Sequence, residues 1–359
     1  MIDSAYAQLA ARLDELPNGF SPAPDGAHLR LLAKLFSPEE AALAAQLRLT
    51  LETPAEIAAR LGGEASAVRK TLKSMVMRGL ITAGRATGGL GYGLLPFVVG
   101  IYEMQAGRVD AELAQLFEDY YLQTYRQALP QQPPTHRVIP VGESVPNTVD
   151  VRPYESARDI IVNAKAWGVT DCICRVQQNL IGHGCEHPID VCMVFSDTPG
   201  TLDRKPGVRA LTQIEALDTL QRAADAGLVH SVSNNQRGLW YLCNCCTCAC
   251  GFLRGLSELG VANVIARSAF VCVVDAAHCL GCGDCVPRCS FNALTVPDFT
   301  AEVSALRCAG CGACTVVCPN HALSLVRRPD EAITTPPETE DEWRMARAAA
   351  RGLDLTAVQ

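Results

Sequence analysis

The sequence predicts an α+β chain of several domains, and three observations carry that expectation. The first hundred residues string helix signals together and end in a glycine-rich hairpin, without one cysteine. All 18 cysteines fall between Cys172 and Cys318. Inside that stretch one cysteine spacing occurs twice, at an offset of 29 residues. The expected segments are a helical domain (1–100), a helix and proline-rich linker (101–150), a mixed α/β cysteine-rich domain (151–266), the cysteine repeat (267–330), and a polar linker with a last helix (331–359).

The first segment reads as follows. HLRLLAKLF has apolar residues at helical spacing. Ser37 with Glu40 three residues later is a capping box opening SPEEAALAAQL. Thr53 caps TPAEIAARLG, which stops at a glycine, and ASAVRKTLKSMVMRGLI forms a further amphipathic helix. TAGRATGGLGYGLLP then reads as a hairpin. That order is winged-helix-like. Arg69, Lys70, Lys73, Arg78 and Arg85 would give it a modest basic face. The chain as a whole carries −7, so docking of a protein, or of a second copy in a homodimer, is favoured over DNA. GGLGYG lacks the strand–loop–helix setting and following lysine of a phosphate loop.

Residues 101–128 read as a helix, with Tyr120 and Tyr121 packing rather than reacting. LPQQPPTHRVIP (129–140) reads as the linker. YESARDIIVNAKAW is a helix leading into VTDCIC, and LTQIEALDTLQRAADAGLVHSVS reads helix, then strand. The tail after Arg328 is polar and extended before an amphipathic helix near Trp343 to Leu353.

The opening residues show no basic stretch followed by an apolar one, so a cytoplasmic chain is expected. The longest apolar run, residues 94–102, is too short to span a bilayer. In a reducing compartment the thiols are metal or cluster ligands rather than disulfides. CLGCGDCVPRC and CAGCGACTVVC both read C-x2-C-x2-C-x3-C, the bacterial ferredoxin pattern, in which the fourth cysteine ligates the other cluster. The expected sets are therefore Cys279, Cys282, Cys285 and Cys318 for one [4Fe-4S] cluster, and Cys308, Cys311, Cys314 and Cys289 for a second. Zinc ribbons would instead pair two C-x2-C elements across a long gap. Pro319 follows the last cysteine as the pattern expects; Ser290 replaces proline after Cys289. Cys272, in the apolar run SAFVCVVD, reads as a buried structural residue.

Nine thiols remain: Cys172, Cys174, Cys185 and Cys192 upstream, and Cys243, Cys245, Cys246, Cys248 and Cys250 in LCNCCTCACG. If that run is extended, Cys243 and Cys245 face one side and Cys246, Cys248 and Cys250 the other. If helical, Cys243, Cys246 and Cys250 share a face. In neither case do all five serve one site, so some pair with the upstream four. The nine suffice for one or two additional iron–sulfur clusters. Zinc is the lesser alternative, with His183 or His187 as completing ligands. Arg175 either offsets cluster charge or is a solvated surface residue.

The combination CICR…GCEHPIDVC…LCNCCTCACGFLRG…CLGCGDCVPRC resembles a family of anaerobe-associated proteins labelled as 4Fe-4S ferredoxin or 4Fe-4S dicluster domain proteins. The resemblance extends to PNGF, FVVGIYEMQ and VIPVGESV. Similar proteins often carry CNCCGCCCG, so Thr247 and Ala249 are departures. The resemblance implies further cysteine-bound iron–sulfur in the middle domain and no particular substrate. The function expected is electron transfer to or from a partner oxidoreductase. Two alternatives stay open: a reductase with a site-differentiated cluster, making the chain an iron–sulfur oxidoreductase or a subunit of one, and a redox-sensing winged-helix regulator.

Overall fold

The computed structural model describes residues 4–145 and 151–357; the end of the expected linker, 146–150, lies outside the described residues. The chain forms two compact units, Met1–Gln131 with Arg344–Gln359, and Gln132–Trp343.

In the first unit, helices α1 (Ser4–Asp14), α2 (Ala27–Leu35), α3 (Pro38–Ala44), α4 (Pro54–Leu61) and α5 (Ala65–Met77) lead into an antiparallel hairpin, β1 (Thr82–Ala86) and β2 (Gly89–Gly93). Ser37 with Glu40 and Thr53 with Glu56 both close reciprocal capping boxes, which satisfies backbone N–H groups that a helix start leaves unpaired. Arg69, Lys70, Lys73 and Arg85 are exposed. Arg78 is exposed too, but its guanidinium pairs with Glu40 at 2.7 Å and so is held by α3. The helix expected from residue 101 begins only at α6 (Ala111–Ala128). Gly107 adopts φ +81°, which turns the chain, and Asp110 then accepts from Leu113 N to start the helix. Tyr120 and Tyr121 are buried on α6, Tyr120 with its ring 4.9 Å from that of Phe20. The C-terminal helix, Glu340–Arg351, lends Arg347 to the Pro17 carbonyl.

The second unit opens on β3 (His136–Ile139), α7 (Ala157–Asn163), β4 (Ala166–Thr170), α8 (Ile173–Leu180) and β5 (Cys192–Ser196). There follow β6 (Arg209–Leu211), α9 (Gln213–Asp225), β7 (Val229–Ser233), β8 (Tyr241–Cys245) and α10 (Gly251–Ser257). Six strands form one antiparallel sheet in the order β3-β7-β8-β5-β4-β6. The supposed linker therefore supplies an edge strand: His136 to Ile139 pair with β7, and on the outer side Val138 N donates to the Ala266 carbonyl; Pro134 and Pro140 flank the strand and do not interrupt it. Ile161 of α7 and Ala216 of α9 pack on Val169, Met193, Val232 and Leu242 on one sheet face. Strand alternation then sends Cys192, Cys243 and Cys245 to the opposite face. That parity positions the middle site.

The remainder is built from β9 (Phe270–Val274), β10 (Leu294–Thr295), β11 (Glu302–Val303), α11 (Ala313–Val316) and β12 (Leu323–Arg327). Among the described residues no helix is long and apolar enough to cross a membrane.

Candidate metal centres

The two cysteine runs sit in halves related by the 29-residue offset. β12 pairs with β9 at Leu323↔Val274, and β10 with β11 at Leu294↔Val303; 294 + 29 gives 323 and 274 + 29 gives 303. Hydrogen bonds to sulfur obey the same relation. Ala293 N donates to Cys289 Sγ and Ala322 N to Cys318 Sγ, each at 3.2 Å. Ala301 N donates to Cys279 Sγ at 3.4 Å, and Cys272 N to Cys308 Sγ at 3.5 Å. Gly281 and Gly310 both hold positive φ, and a Cβ on either would collide with the carbonyl of Phe299 or Phe270 respectively. Only glycine lets these loops close so tightly.

Cys279, Cys282, Cys285 and Cys318 line one pocket together. Electrostatic contacts run across both runs: Cys285 is within reach of Cys314 and Cys318, and Cys289 within reach of Cys311 and Cys314. Cys282 is exposed, whereas Cys308, Cys311 and Cys314 are buried. Burial pushes the Cys308 and Cys311 thiols up, so as a metal-free pocket this loop would hold neutral thiols, and a bound cation is what would draw their protons off.

Cys272 is buried on β9 with its sulfur 3.7 Å from that of Cys314. The offset maps it onto Ala301 (272 + 29), a residue with no ligand atom, in the other half. Its role is thus to fill space and present its backbone N–H. Cys272→Ala is expected to leave iron and sulfide content unchanged and to cost about 1 kcal/mol or less; metal analysis and a denaturation midpoint check it, and loss of a cluster would make Cys272 a ligand.

In the middle domain the nine thiols divide into two groups. The larger is a ring. Cys172 contacts Cys174 and Cys192; Cys250 contacts Cys174 and Cys245; Cys243 contacts Cys192 and Cys245. The six come from four places: the N-cap and first turn of α8, the start of β5, alternate positions of β8, and the N-cap of α10. Hydrogen bonds from Cys174 and Cys192 hold the Cys172 thiol well below its ordinary range, and those from Cys243 and Cys250 do the same for Cys245. Cys174 is pushed up by its bond to Cys172, and Cys243 by its bond to Cys192.

The smaller group is Cys185, His187, Cys246 and Cys248, whose ligand atoms all lie within 4.8 Å of one another. Extended alternation accounts for Cys243 and Cys245 parting from Cys246 and Cys248. It misplaces Cys250, because β8 ends at Cys245 and a turn carries the chain back to the ring before α10. His183 takes no part in this group. The C-x-H spacing of Cys185 and His187 mirrors the C-x-C of Cys246 and Cys248, and that match is the sequence signal for His187 over His183.

Arg175 is 1% exposed and belongs to neither surface nor solvent. Its guanidinium donates to the Pro188 carbonyl at 2.8 Å and the Asn244 carbonyl at 2.6 Å. Burial alone would lower its pKa, but the thiols of Cys172, in the ring, and Cys246, in the smaller group, raise it. Its Nε is buried without a hydrogen-bond partner among the described residues. A fixed cation with a spare donor beside crowded thiols fits an anionic metal–sulfur centre, which needs both.

Residues 278–323 match the family model of the 4Fe-4S dicluster domain. This segment is a ferredoxin-type 4Fe-4S domain. It contains both cysteine runs and the strands between them. No curated protein and no solved structure matches the chain.

Proposed function

We propose that the chain is an iron–sulfur electron-transfer protein with three cluster sites. Cys279, Cys282, Cys285 and Cys318 hold one ferredoxin-type cluster, and Cys308, Cys311, Cys314 and Cys289 the second. The ring of Cys172, Cys174, Cys192, Cys243, Cys245 and Cys250 holds a further iron–sulfur centre. The observation that carries the reading is the 29-residue symmetry of the dicluster segment, which provides two equivalent thiol sets with N–H groups bonded to sulfur. Iron–sulfur clusters supply one-electron transfer, and hydrogen bonds to sulfur tune their potentials.

The ring supports the third site through its number and chemistry. Six thiols with a buried guanidinium exceed what a single ion needs, and no disulfide pairs them. Electron exchange with a partner protein fits the exposed side of the first set. Cys282 is exposed, with Leu280 at 66% and Phe299 at 86% exposed around it. Apolar residues ringing a redox group give a partner a dry contact without fixing it tightly. The first unit, with its α4–α5 pair and hairpin, is read as a winged-helix docking or dimer surface in a cytoplasmic protein.

The test is paramagnetic resonance of the anaerobic, reduced chain. Cys289→Ala, a change in the first run, is expected to remove the cluster of the second run's Cys308, Cys311 and Cys314, and to leave the signal of the first. Loss of the first run's signal instead would contradict the crossed sets.

A further inference from the structure

We propose that Cys185, His187, Cys246 and Cys248 form a separate site for one structural zinc ion, which pins the loop before β5 to the turn after β8 beside the six-thiol ring. The size of the cage decides against a cluster. Cys185 Sγ and Cys246 Sγ are 4.0 Å apart, and Cys248 Sγ is 3.9 Å from His187 Nδ1. Zinc bonds of about 2.3 Å to sulfur and about 2.0 Å to nitrogen make a tetrahedron with edges of about 3.5–3.8 Å. These two edges are therefore within a few tenths of an ångström of a mononuclear site, and the remaining donor separations stay within 4.8 Å. A four-iron cube bonds each terminal thiolate to a different iron and spreads the four much farther apart.

The donor set agrees. Three thiolates and one imidazole complete a tetrahedron and leave no open position, the pattern of structural rather than catalytic zinc. Two short pairs, C-x-H and C-x-C, meet across 61 residues, which is how zinc sites close and ferredoxin runs do not. Three thiolates on a divalent cation leave one net negative charge, and Arg175 contacts Cys246 from one side. Val191, Ala223, Leu228 and Ala249 pack around Cys246, so this ligand is dry while Cys248 reaches the surface.

The role follows from chain connectivity. Cys246 directly follows Cys245, Cys248 precedes Cys250 by two residues, and Cys185 precedes Cys192 by seven. An ion holding these three therefore ties the turn after β8, which delivers Cys250 to the ring, to the loop that leads into β5. The site is redox-silent, and its metal is counted apart from iron, so the proposal stands or falls independently of the iron–sulfur reading.

Metal analysis of the full chain, purified anaerobically, is expected to give about one zinc ion per chain beside its iron. Zinc-edge absorption is expected to show three sulfur neighbours and one nitrogen. His187→Ala should lose the zinc while the dicluster iron stays. Should that variant fail to fold, His187→Cys should fold, keep the ion, and replace the nitrogen neighbour by a fourth sulfur. Iron in place of zinc, a shell without sulfur, zinc retained in a folded His187→Ala chain, or a nitrogen neighbour retained in His187→Cys would each overturn the proposal.

Discussion

Cys245→Ala is expected to strip the middle domain of its iron and to leave about eight irons per chain, those of two four-iron clusters. Cys245 touches Cys243 and Cys250, and Ser231 Oγ lies 3.7 Å from its sulfur. Hydrogen bonds from Cys243 and Cys250 lower its pKa. It lies at the end of β8, whose preceding residues pair with β7 and β5; the backbone there cannot swing a neighbour in to replace it. Iron and sulfide analysis of the variant against the parent chain checks this. Unchanged iron would mean that the ring is not a cluster site, or that Cys245 is a spare in it.

Arg175→Met is the second large effect. The substitution keeps the length and apolar stem but removes the charge between Cys172 and Cys246 and frees the carbonyls of Pro188 and Asn244. Removing one member of a buried charged network costs about 3–5 kcal/mol, because the partners stay buried and uncompensated. In a domain of this size each kcal/mol is worth about 2–4 °C, so thermal scans at a fixed rate are expected to show a fall of about 10 °C. Arg175→Lys should fall between the two, keeping charge but losing the planar fork that reaches two carbonyls. A melting point for Arg175→Met equal to that of the parent would place the positive charge outside the energetics of the site.

What the sequence disclosed and what it concealed divide by range of interaction. Ser37, Glu40, Thr53 and Gly62 mark helix ends through contacts only three or four residues long, and the structure has those caps. The ferredoxin runs are equally local, and their repeat foretells a two-fold segment. The partition of nine thiols is not local. Periodicity treated LCNCCTCACG as one continuous element, whereas a turn after Cys245 returns Cys250 to the ring and sends Cys246 and Cys248 elsewhere. Arg175 gives no sign in sequence of being buried, since burial depends on Asn244 and Pro188 arriving from two other segments. The strand at His136 was hidden by prolines, which punctuate a chain without excluding an edge strand beside them. The offset that relates Cys272 to Ala301 was present in the sequence, but only the strand register makes it an argument about ligation.

The most direct test of three cluster sites is iron and acid-labile sulfide per chain in the anaerobically purified, unsubstituted protein. The account predicts well over eight irons, about twelve or more, with sulfide in matching amount. A value of about eight, with the ring thiols free to alkylating reagent, would contradict it and leave the chain a two-cluster ferredoxin with an unmetallated middle domain.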